Sequence, residues 1–461
     1  MTSHDVQEQV ESTEDARQQQ QQQQQTGARL LKKIDRFLLP LMWFCYGIQQ
    51  TDKTAVSTQA LFGLREDTHL VGQQCSWLTT IFYLAYVCGE FPSNILPHRW
   101  ALGRTLSIYM LCWGICVICI AAAQNWTHLM VLRGLQGFFE CTISPGFVLV
   151  ISSWYRTEEH ASRQLFWQSA NAGFGIIFSL TPSERYGGLA AWRAISLFLG
   201  AATLLSSVTS FALLASPKEV RWMNKDEKRM ARPVCQEQLK VGRDVTGVKW
   251  SWPQVAEAFK DPQLYFCCVN AFLSSVPNGG LSTFGSLMNQ SFGFTKLQVL
   301  LMDIARSVVS VLVFLAVSIY TRRVANRRMY IMALGTLPPF AGMLAMALLS
   351  NTSEYKWIKW GAFSSNVAGR TKKTIISSAT FIGYCTGNMC GSQIFREADG
   401  PRYIPGTIGC SAFFGLEFFL ICAWRAWYVC GRTADDMERE GRELGERDVT
   451  DLRNPHFRYA M

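Results

Sequence analysis

The run "LCWGICVICIAAA", Leu111 to Ala123, holds no charged side chain, and runs of this kind recur along the chain. About 30 Å of hydrocarbon, at about 1.5 Å of rise per residue, asks for about 20 apolar residues in a spanning helix. Segments of that order repeat here, and most are apolar on every face. A water-soluble helix instead buries one stripe and keeps the other polar. Such segments have no soluble packing solution; lipid and neighbouring helices must cover them. Composition agrees: 17% of residues are charged and 49% hydrophobic, against about 25% charged in a typical soluble domain. The charges crowd into both termini and a few loops.

The first 30 residues lack the apolar core of a signal peptide. They include "EQVESTEDARQQQQQQQQTGA", a polar glutamine-rich tail that cannot bury surface and is expected to be disordered. Of the fifteen cysteines, most sit inside apolar runs, as Cys112, Cys116 and Cys119 do, where cysteine behaves as a small hydrophobe. A zinc site needs ligands converging from polar turns. No metal and no cofactor is therefore expected. No nucleophile constellation or phosphate loop appears either, so the chain reads as no enzyme, and nothing points to nucleic acid.

Candidate spans begin at Phe37 and near Ser76, Arg104, Leu129, Gln164 and Ala194. A basic loop follows from Ser216 to about Asp261, and further spans begin near Gln263, Leu297, Met329, Thr374 and Ile404. The implied domains are a tail (1–30), a six-helix bundle (31–215), a linker (216–262), a second bundle (263–430) and a charged tail (431–461). Lysine and arginine mark cytoplasmic loops. They collect at Arg99 and Arg104, at Arg156 and Arg163, along the linker, and in "TRRVANRRMY", while "QNWTHL" has none. This places the N-terminus in the cytoplasm of an integral membrane protein, with the plasma membrane the expected location and an organelle membrane left open. Three sequons, at Asn125, Asn289 and Asn351, fall at or beside loops assigned to the outside.

An ionisable group inside a membrane helix is a functional candidate by default. Asp52 and Lys53 lie just past the first apolar run, where they serve a function, pair locally or sit at the outer surface. In the second span, "GEFPSNILPHRW" offers Glu90, a kink at Pro92 and Asn94. The fourth span, "LMVLRGLQGFFECTISPGFVLV", sets Arg133 seven residues before Glu140, on one helix face and about 10 Å apart along the axis. Desolvation and the arginine act on that carboxylate in opposite senses. Such a pair can take up and release a proton; the competing reading is a static packing pair. The seventh span, "VNAFLSSVPNGGLSTFGSLMNQ", contains Asn270, Pro277, Asn278, Gly279 and Gly280. It reads either as a broken, cavity-lining helix or as close packing through glycine. "GYCTGNMCGSQ" adds Tyr384, Asn388 and Gln393.

Two six-helix halves joined by a long linker resemble the layout of the major facilitator superfamily, in which the substrate site lies between the halves at mid-membrane. "KKIDRFLLPLMW", "GEFPSNILPHRW", "LMVLRGLQGFFECTISPGF", "NGGLSTFGS", "SSNVAGRTKKT" and "FIGYCTGN" resemble the fungal anion:cation symporters of the allantoate permease type. The resemblance runs from about Lys33 to Tyr428. It implies import of a small organic anion or nitrogenous nutrient (allantoate, ureidosuccinate, nicotinate, other vitamins, small peptides) together with a proton, by a monomer in the lipid bilayer. The acidic residue of the R-x3-G-x2-E-x4-P pattern, here Glu140, is implicated in proton coupling. Asp52 joins it as a coupling residue, and Arg133, Asn270, Asn278, Tyr384 and Asn388 are the expected substrate contacts around a central cavity. Arg133 offers a fork of donors suited to a carboxylate.

The chain departs from this family at "EYKWIKWGAFSSNVAGRTKKT", Glu354 to Thr374. Relatives carry a full apolar helix inside this stretch; here the apolar centre near 355–367 is far short of about 20 residues. A smaller shortfall lies around "FSLTPSERYGG", and Asp303 and Arg306 stand where the family is commonly uncharged. The fold class expected is thus an all-α membrane protein with two helical bundles and nominally 12 spans, the tenth missing and about 11 present. If the stretch does not cross, Arg370, Lys372, Lys373 and the C-terminal tail stay outside, against the bias that the other loops follow. A lost cavity-lining helix leaves a transport-deficient or receptor-like chain as the competing function. The expected outcome is impaired uptake by this chain; undiminished uptake with the C-terminus mapped inside overturns it.

Overall fold

The computed structural model describes residues 3–155, 185–186, 188–214, 222–224, 259–260, 262–305, 328–348, 374–400 and 403–430, with isolated positions between these. The stretch 354–373, most of the fifth span, Arg306 and Asn351 lie outside the described residues. The N-terminal half contains α1 (Ser3–Leu61), the single turn α2 (Leu64–Asp67), α3 (Gln74–Arg99), α4 (Leu102–Ile120), α5 (Trp126–Glu140), α6 (Ile143–Trp154) and α7 (Ala191–Leu213). The C-terminal half contains α8 (Pro262–Ser291), α9 (Arg328–Leu348), α10 (Thr374–Ile394) and α11 (Ile404–Cys430). These eleven helices are not eleven spans, since α2 is four residues long and α5 and α6 continue one another. The two-residue strands β1 (Arg185–Tyr186) and β2 (Leu189–Ala190) pair antiparallel ahead of α7.

Among the described residues, four helical stretches are long and apolar enough to cross a membrane: Leu102–Ile120, Trp126–Ile151, Ala191–Leu213 and Ile404–Trp427. The helices α1, α3, α8 and α10 fall outside this set because they carry amides, hydroxyls and charges within their length. Those four meet one another between the halves, α3 against α10 and α1 against α8. Polar side chains are thus turned toward the protein interior.

Two expectations change here. α1 is helical from Ser3, through the glutamine tail expected to be disordered. Glutamine, glutamate and arginine are good helix formers, and extending an existing helix avoids the unfavourable nucleation step. The seventh span is also not broken, since α8 runs continuously across Pro277. Its glycines serve close packing instead. A Cβ on Gly279 would meet the Asn388 backbone, and one on Gly391 would meet the Val276 carbonyl. The fourth span does break, after Glu140. Pro145 has no N–H and excludes the carbonyl four residues earlier, at Cys141, and α6 restarts at Ile143.

Gly391→Val should force α10 away from α8 and destabilise the fold by about 1–3 kcal/mol. A lowered unfolding temperature in detergent checks this; an unchanged one refutes the close-packing role.

Candidate functional site

Four ionisable side chains converge inside the N-terminal half. Asp52 and Lys53 come from the C-terminal part of α1, and Arg133 and Glu140 from one face of α5. Asp52, Arg133 and Glu140 are 2%, 3% and 0% exposed, so any charge they carry must be balanced by protein groups. Asp52 Oδ2 accepts from Trp113 Nε1 at 2.9 Å and from Gln136 Nε2. Gln136 in turn accepts from Arg133 Nη1 at 2.9 Å. The Arg133 guanidinium lies 5.1 Å from the Phe82 ring centre, a cation–π contact.

Glu140 is held differently. Lys53 Nζ stands 3.6 Å from its Oε1, with the two side chains 8% and 0% exposed. Neither Glu140 oxygen has a hydrogen-bond partner among the described residues. Lys53 also lies 5.0 Å from the Tyr86 ring centre. The break after Glu140 bears on this corner too: the Glu140 carbonyl accepts from Gln49 Nε2 at 3.4 Å, and Gln49 accepts from Ser144 Oγ at 3.3 Å. Of the two carboxylates, Glu140 is the one that can bind a proton without giving up a hydrogen bond.

The C-terminal half presents amides. Asn278 Nδ2 donates to Asn388 Oδ1 at 2.9 Å, and Asn388 Nδ2 donates to the Tyr384 carbonyl at 2.8 Å. Aromatic rings join the two sides. Tyr384 meets Tyr83 edge-on at 5.8 Å, and Phe381 stacks on Tyr86 at 5.5 Å. Tyr86 therefore touches both Lys53 and α10.

Six of the seven residues singled out in the sequence, Asp52, Arg133, Glu140, Asn278, Tyr384 and Asn388, fall in this region. Asn270 does not join them: it is eight residues before Asn278 on α8, about 12 Å along the axis, and its buried Oδ1 has no hydrogen-bond partner among the described residues. Arg133 and Glu140 share a face but not an ion pair, because Lys53 takes the glutamate and Gln136 the arginine. The sequence left Lys53 undecided between burial and the outer surface, and gave no weight to Trp113, Gln49 or Gln136. Gln136 had one legible signal, its place one turn after Arg133 on the same helix. Asn289 lies two residues before the end of α8, beside a loop, with its side chain 1% exposed, whereas Asn125 is exposed and caps α5 by accepting from His128 N. A cleft of about 490 Å³ lined by Gln73, Gln74, Trp77, Trp126 and Met130 lies toward the ends of α3 and α5, away from the charges.

A family model for the Major Facilitator Superfamily matches residues 42–398. The chain is 30% identical over 463 residues to the uncharacterized transporter C417.10 of Schizosaccharomyces pombe, covering 95% of this chain and 90% of that one. It is 26% identical over 478 residues to the allantoate permease of Saccharomyces cerevisiae, covering 94% and 86%. A bacterial homolog of the human lysosomal transporter Spinster, in an inward-facing and occupied conformation, superposes with a TM-score of 0.57 at 13% identity, over 86% of this chain and 96% of that one. The chain belongs to the Major Facilitator Superfamily, and along most of its length it is similar to fungal transporters of the allantoate permease type. It is a membrane transporter with the superfamily's fold, not an enzyme.

Removing one partner of a buried ion pair costs about 3–5 kcal/mol, because the other charge is stranded. Lys53→Met should therefore destabilise the protein by that order, and adding Glu140→Gln should recover most of the loss. Thermal unfolding of the two single variants and the double variant checks this. Additive losses would mean that the two side chains do not interact.

Proposed function

We propose that the protein is a secondary active transporter that imports a small organic anion or nitrogenous nutrient together with a proton, by alternating access. The observation that carries this reading is the Lys53–Glu140 pair, buried at 3.6 Å with no hydrogen-bond partner for the carboxylate oxygens among the described residues. A proton on Glu140 removes the charge that holds Lys53. The ammonium is then left without a counter-ion beside Arg133, and an anionic substrate can supply one. Release of the substrate returns Lys53 to Glu140 as the proton leaves. Each half of the exchange keeps the buried charge near neutral, as a low-dielectric interior requires. Asn278, Asn388 and Tyr384 face this corner from the other half and are suited to the substrate's amide or ring atoms. The names of two relatives, the allantoate permease and the thiamine pathway transporter of Saccharomyces cerevisiae, support nitrogen-rich solutes as the class to try first. In this reading the protein works as a monomer in the plasma membrane with its N-terminus in the cytoplasm.

A second reading, a transport-deficient or receptor-like chain, is favoured by the short apolar centre at 355–367. Binding without flux distinguishes it.

Glu140→Gln should abolish proton-driven accumulation of labelled anions in proteoliposomes while leaving substrate exchange partly intact. Accumulation at the unmodified level would assign Glu140 a structural role only.

A further inference from the structure

A cleft of about 320 Å³ opens between the start of α8 and the end of α11, lined by Lys260, Pro262, Tyr265, Phe266, Val269 and Leu420. One wall is stiff: the Phe266 ring stacks on Trp424 of α11 at 5.4 Å, nearly parallel at 7°. Tyr265 is held as well, its hydroxyl donating to the Phe259 carbonyl at 2.8 Å. Phe259, Tyr265 and Val269 are exposed, as are Phe419 and Trp427 on α11. On helices that span a bilayer such faces are covered by lipid, and tyrosine and tryptophan mark the level where acyl chains give way to water. The cleft therefore lies at the edge of the hydrocarbon layer.

Its charge is one-sided. Lys260 is the single charged residue of the lining, is exposed, and has no ion pair or hydrogen bond among the described residues. The other cation at this end, Arg425, is already engaged. Its Nη2 donates to the Tyr330 hydroxyl at 2.6 Å, and its guanidinium lies 3.7 Å from that ring's centre. Arg425 thus ties α11 to α9, while Lys260 is left for something outside the fold. Pro262 and Val269 are seven residues apart on α8, about 10 Å along the axis. A ligand that uses the whole cleft therefore has an anionic head and an apolar body. A small soluble anion would leave the aromatic wall unused, and an uncharged lipid would leave Lys260 unused.

We propose that this cleft binds an anionic glycerophospholipid, its phosphate on Lys260 and one acyl chain along Phe266, Val269 and Leu420. A basic side chain at the membrane surface attracts such lipids, and the apolar wall adds the burial of a chain. Choline lipids share the phosphate but carry their own cation, which competes with Lys260 for it. The charge bias of the loops assigns this end of α8 to the cytoplasm, the leaflet in which anionic lipids concentrate. A lipid seated here bridges α8 and α11, the first and last described helices of the C-terminal half. The proposal goes beyond the transport reading and takes from it only the side of the membrane. Its test needs no solute and supplies the lipid in both leaflets, so neither a chain that fails to transport nor a reversed orientation imitates its failure.

The full chain would be reconstituted in phosphatidylcholine vesicles with a small fraction of phosphatidylglycerol that bears a photoreactive diazirine in its acyl chain. Adducts would then be mapped by peptide mass spectrometry. They should collect at Tyr265, Val269 and Leu420. Lys260→Gln should lower their yield about fivefold, the attraction that one lysine exerts on anionic lipid at a membrane surface. Lys296→Gln, beyond the opposite end of α8, should leave the yield unchanged. Phosphatidylcholine carrying the same diazirine should label these positions weakly, and equally in the unmodified and Lys260→Gln proteins. Equal labelling of the unmodified protein by the two lipids overturns the proposal, as does a yield that Lys260→Gln does not change. Loss of the adducts when glycerol 3-phosphate is added would assign the cleft to a soluble phosphate, and it too overturns the proposal.

Discussion

A lysine and a glutamate that face each other inside an apolar bundle set the terms for everything around them. At 3.6 Å their attraction is strong in a low-dielectric interior, yet taking both ions out of water removes a comparable amount. The pair therefore persists only with further help. Tyr86 offers the lysine a π-face, and the nearby Asp52–Gln136–Arg133 chain places a second carboxylate and a second cation alongside. With all four groups ionised the cluster is formally neutral. It is also unevenly satisfied: among the described residues the Asp52 carboxylate accepts two hydrogen bonds and the Glu140 carboxylate accepts none. That asymmetry distinguishes the surroundings of two acids that composition alone could not tell apart.

The helices sort themselves around this cluster by polarity. Stretches that are apolar along their whole length, such as Leu102–Ile120 and Ala191–Leu213, meet the apolar length criterion. Those carrying hydroxyls and amides are brought to the interface between the halves, where partner groups replace water. Where such helices touch, side chains are small. Gly383, Gly387 and Gly391 of α10 lie against carbonyls of α8, which holds Asn388 within reach of Asn278. The same economy operates at Pro145. The helix break it imposes leaves the Glu140 carbonyl to Gln49, so one proline both ends α5 and ties the acid-bearing turn to α1.

Much of this is legible in the amino-acid sequence. Hydropathy, charge bias and the long linker are one-dimensional records of a bilayer, and they carried the fold class. Depth within a span was enough to select Arg133 and Glu140. What was not legible is which groups pair, because pairing depends on rotation and height of helices that are distant in sequence. Lys53 and Glu140 are 87 positions apart, and no local pattern links them. Trp113 lay in an apolar run with nothing to mark its indole N–H as a donor to Asp52. Asn270 and Asn278 looked alike, eight positions apart, but that is 800° of helical rotation at about 100° per residue, a net turn of about 80° with a shift of about 12 Å. Pro277 with two glycines suggested a broken helix because those residues weaken helices in water. Inside a bundle, the neighbouring α10 backbone fills the space that the glycines leave, and the helix continues.

Tyr86 is the point at which charge and conformation meet. Its ring lies under the Lys53 ammonium on one side and stacks on Phe381 of α10 on the other. Cation–π attraction depends on where the cation sits relative to the ring face, so a lysine drawn away by a different anion changes what holds that ring in place. The ring's second contact belongs to the opposite half. A change in the partner of Lys53 is thereby felt at the α3–α10 interface through a single side chain, and no longer network is required. Two-state elements respond to a ligand only as far as the ligand's interactions differ between the states. An aromatic ring shared between the ion pair and the opposite half is a place where such a difference arises.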